Sequence, residues 1–211
     1  MAEQEKTGIL PAEQILGLVV AGSIDHAAPL ESEQVQPASL DLRLSTRAYR
    51  VRASFLPGPK LSVADRLDSL KLHEFDLSDG AVLETGCVYI IPLMERLNLP
   101  DDVSAAANPK SSTGRLDIFT RIITDRAREF DHISPGYNGR LYIEVSPRTF
   151  PIVARAGSRP LLDGASLNER LDTLLAERDE LYRRAAHHVV ETEGLTIEET
   201  AGAVEAVCHN T

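Results

Sequence analysis

The spacing of apolar and polar positions changes twice along the chain. Residues 1–8 are polar. From Pro11 to Gly22 the apolar positions Ile15, Leu16, Leu18 and Val19 recur at helical spacing, with Pro near the start and Gly at the end, and predict a short helix. Between about residues 39 and 153 the period shortens. Runs at 41–44, 48–51, 88–92, 118–123 and 141–145 are β-branched or alternating. Turn residues separate them: Pro57, Gly58, Gly80, Gly86, Pro92, Pro100, Pro109, Gly136 and Gly139. Many short strands with frequent turns predict a sandwich, jelly roll or distorted barrel. Past Gly157 the helical period returns. Ser166 and Glu169 form a capping box ahead of Leu167, Leu171, Leu174, Leu175, Tyr182, Ala185 and Val189. Thr196 and Glu199 form a second one, opening a helix with Ile197, Val204 and Val207. A β-rich body over 1–157 and a helical tail over 158–211 are therefore expected as two units.

Charge sharpens this division. The 211 residues carry a formal charge of -10. From residue 158 onward five Lys and Arg face eleven Asp and Glu, so about -6 of that charge belongs to the tail. An acidic chain is a poor non-specific binder of nucleic acid or anionic membrane, so neither is expected as a partner. The only cysteines, Cys87 and Cys208, form no CxxC, and no HxE…CxxC pattern exists, so the zinc site of metal-dependent nucleobase deaminases is not expected. Both are expected as free thiols. With no signal-like apolar core at the start and no run of about 20 apolar residues, the expected location is cytoplasmic.

Three stretches carry candidate chemistry. In Asn-Pro-Lys-Ser-Ser-Thr-Gly-Arg-Leu-Asp, ending at Asp117, the hydroxyls of Ser111 and Ser112, the amide of Gly114 and the charges of Lys110 and Arg115 lie within six residues. Such a set can cradle an anion, and an arginine can bind one bidentately; a solvated polar turn has the same composition. It is not a Walker loop, because GxxxxGK[ST] occurs nowhere. The second stretch joins a Pro-Gly-Tyr-Asn-Gly turn to an apolar strand holding one carboxylate, Glu144. Alternation sets Leu141, Ile143 and Val145 on one face and Tyr142 and Glu144 on the other. A carboxylate among apolar neighbours can act as a general base with a raised pKa; on a wet strand face it is merely solvated. In the third stretch, Asp41 and Arg43 share one side of an expected strand and can pair, as a structural bridge or around a ligand.

Taken in order, these stretches resemble the dCTP deaminase family of the dUTPase-like superfamily. The matching segments are QPASLDLRL, LETGCVYIIPLMERLNLPDDV, KSSTGRLD and SPGYNGRLYIEVSP, and the resemblance runs over about residues 8–157. The closest likeness is to the long bacterial form, in which a second, related module follows; here the helical tail follows instead. The resemblance implies a β-clip fold, that is, a dUTPase-like distorted β-barrel or jelly roll, with a short N-terminal helix and an appended helical tail. It implies zinc-free deamination of dCTP to dUTP and ammonia. Glu144 takes the position of the strand glutamate that activates water, and Ser111 that of the serine ordering water and base. Ser112, Arg115 and Lys110 would hold the triphosphate, accompanied by Mg2+. Backbone around Ile123 and Thr124 would line the cytosine pocket, and Tyr137 would lie beside the deoxyribose. Lys110 stands where the family has arginine. Ser134 stands where short members have a sugar-contacting aspartate, a role Asp125 or Asp131 could take. Sites in this superfamily form between subunits or modules, so a homo-oligomer, either a trimer or a pairing of modules, is expected. The related activities are dUTP diphosphatase and a bifunctional deaminase-diphosphatase; the non-catalytic alternative is a nucleotide-binding half of a two-module protein.

The tail resembles another family. Arg159-Pro-Leu-Leu and LAERDELYRRAAHHVVETEG are similar to the end of shikimate kinase, which would set Arg159 against phosphates and Arg178 against shikimate. No phosphate loop or first strand of a kinase accompanies them, so a fused helical fragment is expected.

Overall fold

The computed structural model describes residues 8–31, 33–157, 190, 194 and 196–208. The chain divides into two compact units, Met1–Leu162 and Asp163–Thr211. The first is mainly β, as the sequence predicts.

Helix α1, Ala12–Val20, follows Pro11 and buries Ile15. Its last turn closes on the backbone of Gly22, which adopts φ +74°. The spine of the unit is β7, Val88–Asn98. It pairs antiparallel with β4, Arg47–Val51, near its start and with β1, Ile24–His26, near its end. Its other edge carries β11, Asn138–Pro147, which in turn pairs with β9, Ile118–Thr124. With β5, Lys71–Asp76, on β4, the sheet has six strands in the order β5-β4-β7-β11-β9, and β1 joins β7 off this path. Three two-stranded sheets complete it: β2, Val35–Gln36, with β3, Ser39–Leu40; β6, Ala81–Leu83, with β12, Ile152–Ala154; and β8, Ala105–Ala106, with β10, His132–Ile133.

Two strand expectations are corrected. Residues 41–44 are not a strand: Asp41 and Arg43 lie in extended chain, and only Leu44 bridges to Leu93. The Arg43 amide donates to the side chain of Glu95 instead of to a neighbouring strand, at 2.8 Å. Nor does β7 stop at Pro92. Pro92 lies between the segment paired with β4 and the segment paired with β1, opposite Tyr142, where the register with β11 shifts. Pro92 accepts from the Ser45 amide at 2.9 Å and, lacking an N–H, does not return that bond, so it sits in the gap between the two paired segments.

One helix was not anticipated. In α2, Val63–Leu70, Ser62 accepts from the Asp65 amide while the Asp65 carboxylate accepts from the Ser62 amide. Hydrogen bonds from the Ser62 hydroxyl, and secondarily the Ser62 amide, hold the Asp65 carboxyl below its ordinary pKa. The Val63 amide is taken by Asp125 Oδ1 at 2.7 Å. Val63 and Leu67 then pack with Val51, Phe55, Ile90, Ile123 and Tyr142 in one buried cluster. That cluster covers the sheet face that also bears Glu144.

In the second unit, helix α4, Ile197–Cys208, starts at the predicted capping box: Thr196 and Glu199 exchange hydrogen bonds of 2.8 and 3.3 Å. The expected helix from Ser166 to Val189, with Arg159 and Arg178, lies outside the described residues. No helix among the described residues is long and apolar enough to cross a membrane.

Candidate active site

Glu144 sits in the middle of β11, between Ile90 of β7 and Arg121 of β9. It is 2% exposed. Sheet strands cover both edges of β11 and apolar side chains cover the face, so the alternation that marks a half-wet strand marks here a strand buried on both faces. Burial pushes the Glu144 carboxyl above its ordinary pKa. A hydrogen bond with Ser54 and the charges of Arg121 and Arg148 pull it back, while Asp131 raises it further. Ser54 is itself exposed, so the buried carboxylate touches a residue open to solvent. Its Oε2 has no hydrogen-bond partner.

Sequence reasoning passed over the groups around it. The Arg121 guanidinium stands 4.3 Å from the Phe119 ring and 4.6 Å from that of Phe130. Arg148 shares the Phe119 ring, at 5.2 Å. Two residues along from Glu144, Ser146 is also buried and its Oγ is also unpartnered. The available signal was a charge inside the otherwise uncharged run Ile118–Thr124, on the row facing Glu144.

The expected anion cradle is a short helix, α3, Ser111–Arg115, directly ahead of β9. Thr113 is its buried anchor. Ser111 and Arg115 are exposed and Ser112 is half-buried. The Arg115 guanidinium folds back on Ser111 Oγ at 3.2 Å. Lys110 donates to Asp41 Oδ2 at 2.6 Å. Asp41 thus pairs with Lys110 and not with Arg43, which is bonded to Glu95 at 2.9 Å. The expected Asp41–Arg43 pair does not form, because the chain there is not a strand and the two side chains reach different partners. The cradle and Glu144 are connected through β9, which follows α3 directly and pairs with β11.

Ile123 and Thr124 are both buried, Ile123 within the apolar cluster, and they pair with Tyr142 and Leu141. The Tyr137 hydroxyl donates to the Arg140 carbonyl at 2.6 Å and accepts from the Asp125 amide at 3.3 Å. Burial pushes its pKa up to about 12, so it remains a donor. A side chain at Gly139 would meet that hydroxyl at 2.5 Å, which explains the glycine. Gly136 adopts φ +68° and its missing Cβ leaves room for Asp101. The Pro-Gly-Tyr-Asn-Gly motif is therefore a tight turn closed by its own tyrosine. Asp125 spends one oxygen on α2 and Asp131 one on the Ile122 amide, at 2.6 Å; Ser134 is exposed. Among the described residues, no group of three His, Cys, Asp or Glu side chains could hold a metal ion.

The chain is similar to known proteins. The family model described as the 2'-deoxycytidine 5'-triphosphate deaminase (DCD) N-terminal domain matches residues 6–162. A model of shikimate kinase matches residues 131–208, of which β10, β11 and β12 lie inside the β unit. A "dCTP deaminase, dUMP-forming" of Beutenbergia cavernae is 31% identical over 62% of this chain and 65% of that protein. One from Halobacterium salinarum, of the same description, is 31% identical over 65% of this chain and 69% of its own. The crystal structure of 2'-deoxycytidine 5'-triphosphate deaminase from Agrobacterium tumefaciens superposes with a TM-score of 0.71 and 58% identity, over 79% of this chain and 53% of that one. The chain thus spans about two thirds of the first of these relatives and about half of the solved protein. On the family model, which takes in most of its length, the chain belongs to the 2'-deoxycytidine 5'-triphosphate deaminase N-terminal domain family.

Proposed function

We propose that the chain deaminates dCTP, with Glu144 as the general base. The observation that carries this reading is a buried carboxylate with one free oxygen, its pKa raised by burial, in register with an arginine that opposes that rise. Glu144 takes a proton from water; the water oxygen uses the released electron pair to bond C4 of cytosine. As the C–O bond forms, the C4–N3 double-bond pair moves to N3, which takes the proton from Glu144; Glu144 then passes the new hydroxyl's proton to the amino nitrogen, the C4–N bond breaks, and ammonia leaves as the C4 carbonyl forms. Arg121 and Arg148 favour the ionised carboxylate that the first step needs.

Ser111 orders water and base in this reading. Lys110, Ser112 and Arg115 bind the triphosphate once Lys110 exchanges Asp41 for phosphate oxygens. Mg2+ would accompany the nucleotide's phosphates and neutralise part of their charge. Ile123 and Thr124 border the base, and Tyr137 shapes the sugar side through its turn. The reaction is assigned to the cytoplasm and to an assembly, either a trimer or a pairing with a second module. A dUMP product is the second reading, because the two curated relatives described above carry that description.

The test is to incubate the full chain with dCTP and Mg2+ and to follow ammonia, dUTP, dUMP and pyrophosphate. Ammonia with dUTP supports simple deamination; dUMP with pyrophosphate supports the second reading. Glu144→Gln is expected to lower kcat by about 10²–10⁴-fold with dCTP still bound. Undiminished turnover in that variant overturns the assignment of the base. Sedimentation equilibrium reports the assembly.

A further inference from the structure

Two polar atoms are buried without a partner among the described residues, and they are neighbours: Glu144 Oε2 and Ser146 Oγ. Buried polar groups in folded proteins are almost always satisfied by protein or by ordered water, so a pair of orphans in one place marks a position for something else. The strand geometry brings them to one face. The register of β11 with β9 is unbroken from Leu141 to Pro147, so residues 144 and 146 point the same way. Same-face positions lie about 7 Å apart along a strand. A glutamate side chain is long enough to close this gap to the span of one bridging water. The surroundings keep both atoms from bulk solvent. Ser146 is 1% exposed, and Phe119 faces it across the β9 ladder beneath the guanidinium groups of Arg121 and Arg148.

We propose that Ser146 is a positioning residue that shares with Glu144 the water consumed in the reaction. The inference rests on the deaminase reading above. Glu144 accepts the proton that is removed, and the Ser146 oxygen accepts the water's other hydrogen. The remaining lone pair is then held toward C4, where the new C–O bond forms. The proton balance of the reaction is unchanged; Ser146 contributes orientation and no proton.

The experiment compares Ser146→Ala and Ser146→Thr in the full chain, and solves the unliganded crystal structure at a resolution that shows waters. Ser146→Ala is expected to lower kcat about ten- to a hundredfold, with KM for dCTP within about twofold, because misplacing one reactant costs rate rather than binding. Its Tm is expected to hold or rise, since a buried hydroxyl with no protein partner is lost. Ser146→Thr, which keeps the hydroxyl, is expected to recover most of kcat. The crystal is expected to show one water within hydrogen-bonding distance of both Glu144 and Ser146, absent from Ser146→Ala. If the native chain turns over dCTP and Ser146→Ala matches it, the proposal is overturned and the deaminase reading stands. If the native chain releases no ammonia, the deaminase reading fails. The crystal then decides the water site separately: a shared water supports it, and an empty position overturns it. A fall in Tm with kcat and KM affected together would show a merely structural serine, and would also overturn the proposal.

Discussion

Glu144 lies where two opposing forces meet. Burial favours its neutral form, while Arg121, Arg148 and the Ser54 hydroxyl favour the anion. The first force prevails, so the native pKa lies above the ordinary 4.5. For an acid whose pKa is raised on folding, the native state binds the proton more tightly than the unfolded chain does. The associated cost to stability is therefore absent below about pH 4.5, grows as pH rises through the native pKa, and is full above it. Glu144→Gln removes this titration. Its Tm at pH 7 is expected to exceed that of the native chain, and the difference to vanish toward pH 4, as calorimetry across that range would report. The acid limb of kcat/KM for dCTP is expected above the ordinary glutamate range, and Arg121→Gln is expected to move it higher still. The sequence exposes Glu144 as a lone carboxylate in an apolar strand, but not its burial, because alternation alone reads the Tyr142 and Glu144 face as wet. Lys110 and Asp41 are 69 positions apart, so their bond has no local signature.

Secondary-structure elements were legible where one side of the pattern dominates. The segments at 48–51, 118–123 and 141–145 are strands because β-branched residues alternate there, and Thr196 with Glu199 starts a helix as the capping box predicts. Helix α2 was missed although Val63, Leu67 and Leu70 lie at helical spacing, because its box closes with Asp65 in place of the usual Glu or Gln. Part of its N-terminus is held from elsewhere, by the carboxylate of Asp125. Asp125→Ala is expected to cost about 1 kcal/mol of stability in urea unfolding, the usual loss when a helix-start amide loses its side-chain acceptor. Because Asp125 also follows β9 directly, the same bond ties the helix covering the Glu144 face to the strand carrying Arg121. A loss of kcat larger than the loss of stability would report that link.

At the scale of the molecule, the texture and charge of the sequence predict a β body followed by a helical tail. What joins distant parts of the body is hidden from local pattern. Glu95, fully buried on β7, accepts from Arg43 and from Gln34, while Arg43 also donates to the carbonyls of Ala28 and Pro29. A buried ion pair of this kind costs desolvation but is costly to break on one side. Glu95→Ala is expected to lose about 3–5 kcal/mol in urea unfolding, because Arg43 would be left in the core without its anion. The bridge spans a segment of chain that carries little strand structure of its own. If residues 28–43 were to peel away alone, they would strand a carboxylate inside the sheet, so their release must cost nearly as much as opening the sheet itself. In hydrogen exchange, the amides of Asp41 and Arg43, though they lie in irregular chain, should therefore exchange with the slow kinetics of the strands and not with the fast kinetics of a loop.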